Sequence, residues 1–217
     1  MIVSKNFYAL IILLVFYINA KSQNSYFNLL KNDLLKDSTI TQIRKSDSKV
    51  KSGIFFTPSM GVEYPMNSFR VNSSSSFCLG VKLEYASQSI YPVIFGISYE
   101  HQDHNGIDNY KTLNYLNSLE TKISSYGGGI DLILNKYLKS NYTIPFLVTE
   151  LKYIMVQRII DPAVNSTNLK TSDNFIGVMG GIGFTLYIFD IYGTYTFAKE
   201  YTTFAFKMRF HFPVIKF

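Results

Sequence analysis

Phe204-Ala205-Phe206-Lys207-Met208-Arg209-Phe210-His211-Phe212 is the stretch on which the fold turns. Its even positions are apolar and mostly aromatic, while its odd positions are small or basic. A period of two belongs to an extended strand whose two faces meet different surroundings. A helix would scatter the same side chains around its circumference.

Toward the N-terminus the same period marks seven further segments, back to Gly53. Tyr187, Phe189, Ile191, Tyr195 and Phe197 oppose Asp190, Tyr192, Thr194 and Thr196. Ile176, Val178, Ile182, Phe184 and Leu186 oppose Gly177, Gly181, Gly183 and Thr185. Leu147, Leu151, Tyr153 and Met155 oppose Val148, Glu150, Lys152 and Ile154. A looser segment sets Tyr126, Ile130, Leu132 and Leu134 against Ser125, Gly127, Gly129 and Asp131. Val93, Phe95, Ile97 and Tyr99 oppose Gly96, Ser98 and Glu100. Phe77, Leu79, Val81, Leu83 and Tyr85 oppose Cys78, Gly80, Lys82 and Glu84. Ile54, Phe56, Met60, Val62 and Tyr64 oppose Thr57, Ser59, Gly61 and Glu63. The connections alternate: 65–74, 105–118 and 159–173 are long and polar, whereas 88–92, 136–141 and the stretch near Ile188 to Asp190 are short. The remaining connection on the long side, near Lys199-Glu200, is short.

Soluble sandwiches and barrels alternate too, so the direction of the apolar face needs its own argument. The segments run about ten to fourteen residues, beyond the ~5–6 of soluble strands and matched to the ~9–11 of tilted membrane strands. The polar face carries mostly Gly, Ser and Thr with one or two charges per segment, unlike a solvated face rich in Lys and Glu. The apolar face ends in aromatics: Tyr64, Tyr99, Tyr153, Tyr195 and Phe204 at one rim, Tyr85, Tyr187, Phe189 and Phe212 at the other. Two aromatic girdles flank the lipid band of membrane barrels. An open sheet would leave its edges unpaired in lipid, so the strands must close. The expectation is an all-β chain: a closed antiparallel transmembrane β-barrel of about eight strands, with a short N-terminal helical tail.

The first twenty residues set the compartment. Lys5 followed by the apolar run Phe7 to Ile18 and the small residues at Ala20 and Ser22 has the form of a secretory signal peptide. Residues 21–52 read as a periplasmic tail, helical over 24–43 (Phe27, Leu30, Leu34), then the charged linker Arg44 to Lys51. That helix could lie on the membrane surface, dock a periplasmic protein or be a mobile tail, the first being favoured. Residues 53–217 form the barrel. Cys78 is the single cysteine, so no intrachain disulfide forms. Tyr and Phe number 17 and 18 and charged residues are only 17% of the chain, which excludes disorder. The net charge of +6 is scattered, with no basic block beside an aromatic reading motif, so no nucleic-acid partner is expected.

In this pattern the chain resembles the small eight-stranded outer-membrane proteins of the OmpA and OmpX type, and the outer-membrane β-barrel group of the Bacteroidota. The resemblance covers residues 53 to 217 and includes the aromatic C-terminal Phe217. It implies the cell outer membrane as location, with outer-membrane lipids and the barrel-assembly machinery as partners. Pro213 departs from it: Ile215 and Phe217 fall out of phase with Phe212.

The expected site is structural. Glu63, Lys82, Glu84, Glu100, Asp131, Glu150, Lys152, Lys207, Arg209 and His211 all lie on the inward face. An eight-stranded lumen is wide enough only for side chains to fill, and charges buried there must pair. The expectation is a salt-bridged plug, with no cofactor, no metal and no catalytic residue. His101-Gln102-Asp103-His104, at the outer end of its strand, has the residue types of a metal site or a general base with its carboxylate. Outer-membrane lipid A-modifying enzymes are eight-stranded barrels with catalytic residues near the outer rim, but no nucleophile motif here matches theirs. Gly127-Gly128-Gly129 and the glycines of 177–183 lack the spacing of a phosphate loop. The reading is a non-enzymatic envelope barrel with surface loops, in a structural, adhesive or accessory role. An outer-leaflet lipid-modifying enzyme and a soluble periplasmic β-barrel binding protein are its rivals.

Overall fold

The computed structural model describes residues 52–135, 137–138, 143–162, 169–186 and 189–217. The signal segment and the helical tail lie outside them. The strands are β1 (Ser52–Pro65), β2 (Ser76–Ser87), β3 (Val93–Asn105), β4 (Ser118–Ile133), β5 (Thr143–Asp161), β6 (Ser172–Leu186), β7 (Phe189–Phe197), β8 (Thr203–Phe210) and β9 (Phe212–Lys216). Each pairs antiparallel with the next from β1 to β8, and β1 also pairs with both β8 and β9, which closes the sheet. Because β8 and β9 continue one another, the barrel has eight walls. Short helices α1 (Phe69–Asn72) and α2 (Asp108–Leu113) sit in the first two long connections.

The closing seam differs from the sequence expectation. The ladder breaks at His211, where β1 presents Thr57 and Pro58. Pairing stops at Ser59↔Arg209 and resumes at Phe56↔Phe212. Proline has no N–H to give the ladder, so the break falls where β1 lacks a donor. Pro213 itself pairs with Phe55, and the next pair is Ile54↔Ile215, so Val214 is an extra residue accommodated by a bulge. The bulge restores the phase that the sequence loses. Ser52 and Phe217 then exchange backbone hydrogen bonds of 2.9 and 3.1 Å, bringing both ends of the barrel to the rim of short turns.

The barrel is inside out. Phe77, Leu79, Leu83, Phe95, Ile97, Leu151, Val178, Ile182 and Phe206 are all exposed on the outer wall. A soluble fold would bury such a continuous apolar surface. On β1 the outward residues from Ile54 to Tyr64 span ten positions, which at strand rise and barrel tilt is a band about 25 Å tall.

The upper boundary of that band is a row of tyrosines. Tyr99 pairs with Tyr126 and Tyr126 with Tyr153, the first two rings 5.1 Å apart. Beyond this row β3 to β6 continue, β4 by eight more residues and so by about 20 Å. Their outward positions turn polar there: His101 and Asp103, Ser124, Lys122 and Glu120, Gln157, Asn174 and Ser172, with Met155 and Ile159 the exceptions. The strands outrun the expected limits for this reason, with β5 reaching Asp161 and β6 starting at Ser172.

Candidate functional site

The inward face stacks three layers. At the short-turn rim, Phe55, Ala86, Ile94, Ile133, Ile144, Phe146, Val148, Met179 and Tyr192 make an apolar floor. At the long-loop end, Phe69 of α1 and Tyr201 of the 198–202 connection fold over Ile123, Ile154, Val156 and Ala198 as an apolar roof. The sequence reading anticipated neither layer. The floor draws on residues such as Phe55 and Ile94, which the period had left unassigned, and the roof needs loop residues whose folding inward no strand pattern reports.

Between floor and roof lies the charge network, and geometry forces its pairing. Successive inward positions on neighbouring strands place the side chains opposite one another in a dry lumen. Unpaired charges there would cost several kcal/mol each. The Arg209 guanidinium is the hub: Nη1 lies 3.1 Å from Glu84, Nη2 2.7 Å from Asp131 and Nε 2.7 Å from Asp190. His211 sits 2.8 Å from Glu84 through Nδ1 and 2.8 Å from Asp190 through Nε2. Both nitrogens face carboxylate oxygens, an arrangement that a doubly protonated ring satisfies. Thr57 donates to Glu84 at 3.0 Å. Lys82 reaches Asp131 at 2.8 Å and Glu150 at 3.2 Å, and Ser98 donates to Glu150 at 2.8 Å. Glu100 takes Lys207 at 2.7 Å and also Lys152. Asp190, placed on the inward face but omitted from the expected set, is therefore a full member.

One expected member is not. Glu63 lies in the lumen and is buried, yet no cation stands within 4 Å of it among the described residues. Across the seam from it, Lys207 is committed to Glu100. Register explains this: Glu63 stands opposite Ala205 and Ser76, two residues above Lys207 on the seam.

The His101–His104 cluster is split by the strand period. His104 turns inward, fully buried, with Nδ1 2.7 Å from the Ser74 carbonyl and Phe69 packed edge-on against it. His101 and Asp103 point outward, just above the tyrosine row, with Nε2 to Oδ1 at 3.3 Å. The other His101 nitrogen, Nδ1, lies 2.9 Å from Ser124 Oγ, and Ser124 is the cross-strand partner of His101. A hydroxyl, an imidazole and a carboxylate thus form a chain on the outer face. Ser124 is 23 residues from His101, and no sequence motif could have joined them. Among the described residues no group of three potential metal ligands is found.

Over the roof, Tyr201 stacks on Phe175 with centroids 4.7 Å apart, and Arg158 lies 5.1 Å from its ring centre. Burial pushes the Tyr201 phenol up to about 12. It stays neutral at any physiological pH.

Fold and site together define an inside-out eight-stranded barrel whose lumen is crossed by a network of paired charges. No family model and no curated protein matches the chain. Among solved structures it is similar to Neisserial surface protein A, at 12% identity and TM-score 0.45, over 74% of this chain and 97% of that one. It is also similar to Ail, the attachment invasion locus protein of Yersinia pestis, at 10% identity and TM-score 0.37, over 75% and 99%. The same outer-membrane protein in a phospholipid bilayer nanodisc matches at 10% identity and TM-score 0.38, over 74% and 99%. The resemblance to the Bacteroidota group finds no support among them.

Proposed function

We propose that this chain is an outer-membrane protein that conducts nothing through its lumen and works with the face it displays beyond the membrane, in an adhesive, structural or accessory role without catalysis. One observation carries the reading. The outward face is apolar over a height of about 25 Å, then changes to polar at a row of tyrosines, as a wall crossing from lipid to water must. A lumen filled in this way leaves the connections 66–75, 106–117 and 198–202, with the polar ends of β3 to β6, as the surface available to a partner. That partner is a surface protein or another envelope component. Fractionation tests the location: the protein should stay with the outer membrane through salt washing, need detergent for release, and migrate faster on a denaturing gel when unboiled. Recovery in the soluble periplasm would end the reading.

A second reading has one observation in its favour, the Ser124–His101–Asp103 chain. These are the parts of a hydrolytic site, placed where ester groups of outer-leaflet lipids would lie. Against it, the neighbouring backbone N–H groups are tied up in the sheet and offer no oxyanion hole. Ser124→Ala should leave the lipid composition of the outer leaflet unchanged. An acylated species that accumulates in Ser124→Ala and disappears when the wild type is restored would establish the enzyme instead.

A further inference from the structure

Glu63 is the one buried carboxylate among the described residues without a cation within 4 Å, and Lys207 and His104 act on it only from farther away. Glu84, Glu100, Asp131, Glu150 and Asp190 each hold at least one. The remaining buried cation, Arg158, donates to the Lys170 carbonyl at 2.7 Å, lies against the Tyr201 ring, and is not within ion-pair distance of Glu63. His104 forms no ion pair with Glu63 either. A lone carboxylate in a dry lumen is costly unless a proton or a counter-charge neutralises it.

The surroundings of Glu63 have the chemistry of a receptor for one. It borders a chamber of about 10 Å³ just under the roof, lined also by the polar residues Gln102, Ser125, Thr196, Tyr201 and Thr203 and by Ile123 and Ile154. Glu63 and these five polar residues each bring an oxygen, and all six are buried. Gln102 Oε1 and the Tyr201 hydroxyl have no protein partner among the described residues. The charged residues at the same wall, Glu100 and Lys152, are already paired to each other. The volume is what one water molecule or one small ion takes. Oxygen donors with a single carboxylate outside any ion pair favour a hard cation, and one such carboxylate calls for one positive charge.

We propose that this chamber binds a single sodium ion, with Glu63 as counter-charge and Gln102, Tyr201 and the hydroxyls of Ser125, Thr196 and Thr203 as further ligands. The ion completes the charge balance of the plug and ties β1, β3, β4, β7 and β8 to the roof. A divalent ion would leave a positive charge in excess, and choline is far too large to enter. This inference stands on the lumen alone and does not depend on what the outer face does.

The test uses the full mature protein in detergent, with sodium chloride replaced by choline chloride at constant ionic strength, and reads the midpoint of thermal unfolding. Binding to the folded state alone should raise the midpoint with sodium concentration and then saturate. Glu63→Gln should fold and show no sodium response. Should Glu63→Gln not fold, Gln102→Met keeps the carboxylate and removes one ligand, and its response should move to higher sodium. Equal wild-type midpoints in sodium and choline would overturn the site and make the chamber a water pocket. A sodium response that survives unchanged in Glu63→Gln or Gln102→Met would place the ion elsewhere and overturn it equally.

Discussion

Arg209 buries one guanidinium against three carboxylates in the lumen, and that makes it the most consequential side chain of the plug. Removing it leaves Glu84, Asp131 and Asp190 facing one another with only Lys82 and His211 to offset them. Arg209→Ala should therefore destabilise the barrel by about 3–5 kcal/mol, the usual cost of breaking a buried pair from one side. Lys122, paired with Glu120 at 3.5 Å on the exposed outer face, is the control. Lys122→Ala should change stability by no more than about 0.5 kcal/mol. Urea unfolding of the refolded proteins separates the two, and a small effect for Arg209→Ala would show that the plug is wet. Arg209 itself was legible because a charge alternating with phenylalanines has only one dry place to go. Glu63 was legible as inward but not as unpaired, since pairing depends on register across the seam. Ser124 beside His101 was not legible at all, because a cross-strand neighbour leaves no trace in local spacing.

Strands were the most readable elements, since a period of two fixes which residues share a face once one face meets lipid. Their ends were not. The period persists past the tyrosine row while the outward residues turn from apolar to polar, so β5 and β6 look like loop from Ile159 to Asp173 when hydrophobicity is the guide. The seam was misjudged for a related reason: Pro213 looks like the interruption, yet the ladder breaks opposite Pro58, and the bulge at Val214 repairs the phase. Glycines give the wall a direct test. A Cβ on Gly129 would lie 2.0 Å from the Thr149 carbonyl oxygen and 2.7 Å from the Glu150 Cα, whereas one on Gly180 would meet nothing within 4 Å. Gly129→Ala must shift backbone and should cost about 1–3 kcal/mol. Gly180→Ala points into open space on the outer wall and should be neutral or stabilising by about 0.5–1 kcal/mol, because glycine has the larger conformational entropy to lose. Comparable losses from both would mean that the outer wall is packed against something at Gly180.

For the whole molecule, the arrangement of its two rims determines which way it sits. An even number of walls returns the chain to the rim where it began, and the hydrogen bonds between Ser52 and Phe217 join the two ends there. The same rim carries the turn 88–92, and the opposite rim carries α1, α2 and the polar extensions of β3 to β6. On the proposed outer-membrane location, a chain exported by the N-terminal signal expected from its sequence would enter the membrane from the periplasm, so its ends and short turns should stay on that side and the long connections should emerge outside. Single cysteines in a Cys78→Ser background can test this on intact cells with a membrane-impermeant thiol reagent. Cys78 is buried in the lumen, and its removal should not disturb the wall. A cysteine at Asn109, exposed on α2, should react at once; one at Ser89, exposed in the 88–92 turn, should react only after the outer membrane is breached. Neither should react on intact cells if the protein is soluble in the periplasm. Reaction at Ser89 with protection at Asn109 would invert the barrel, and the face assigned to partners would then lie in the periplasm. The filled lumen, the tyrosine row and the charge network would be untouched by that outcome, because they follow from which residues face inward and not from which rim faces the medium.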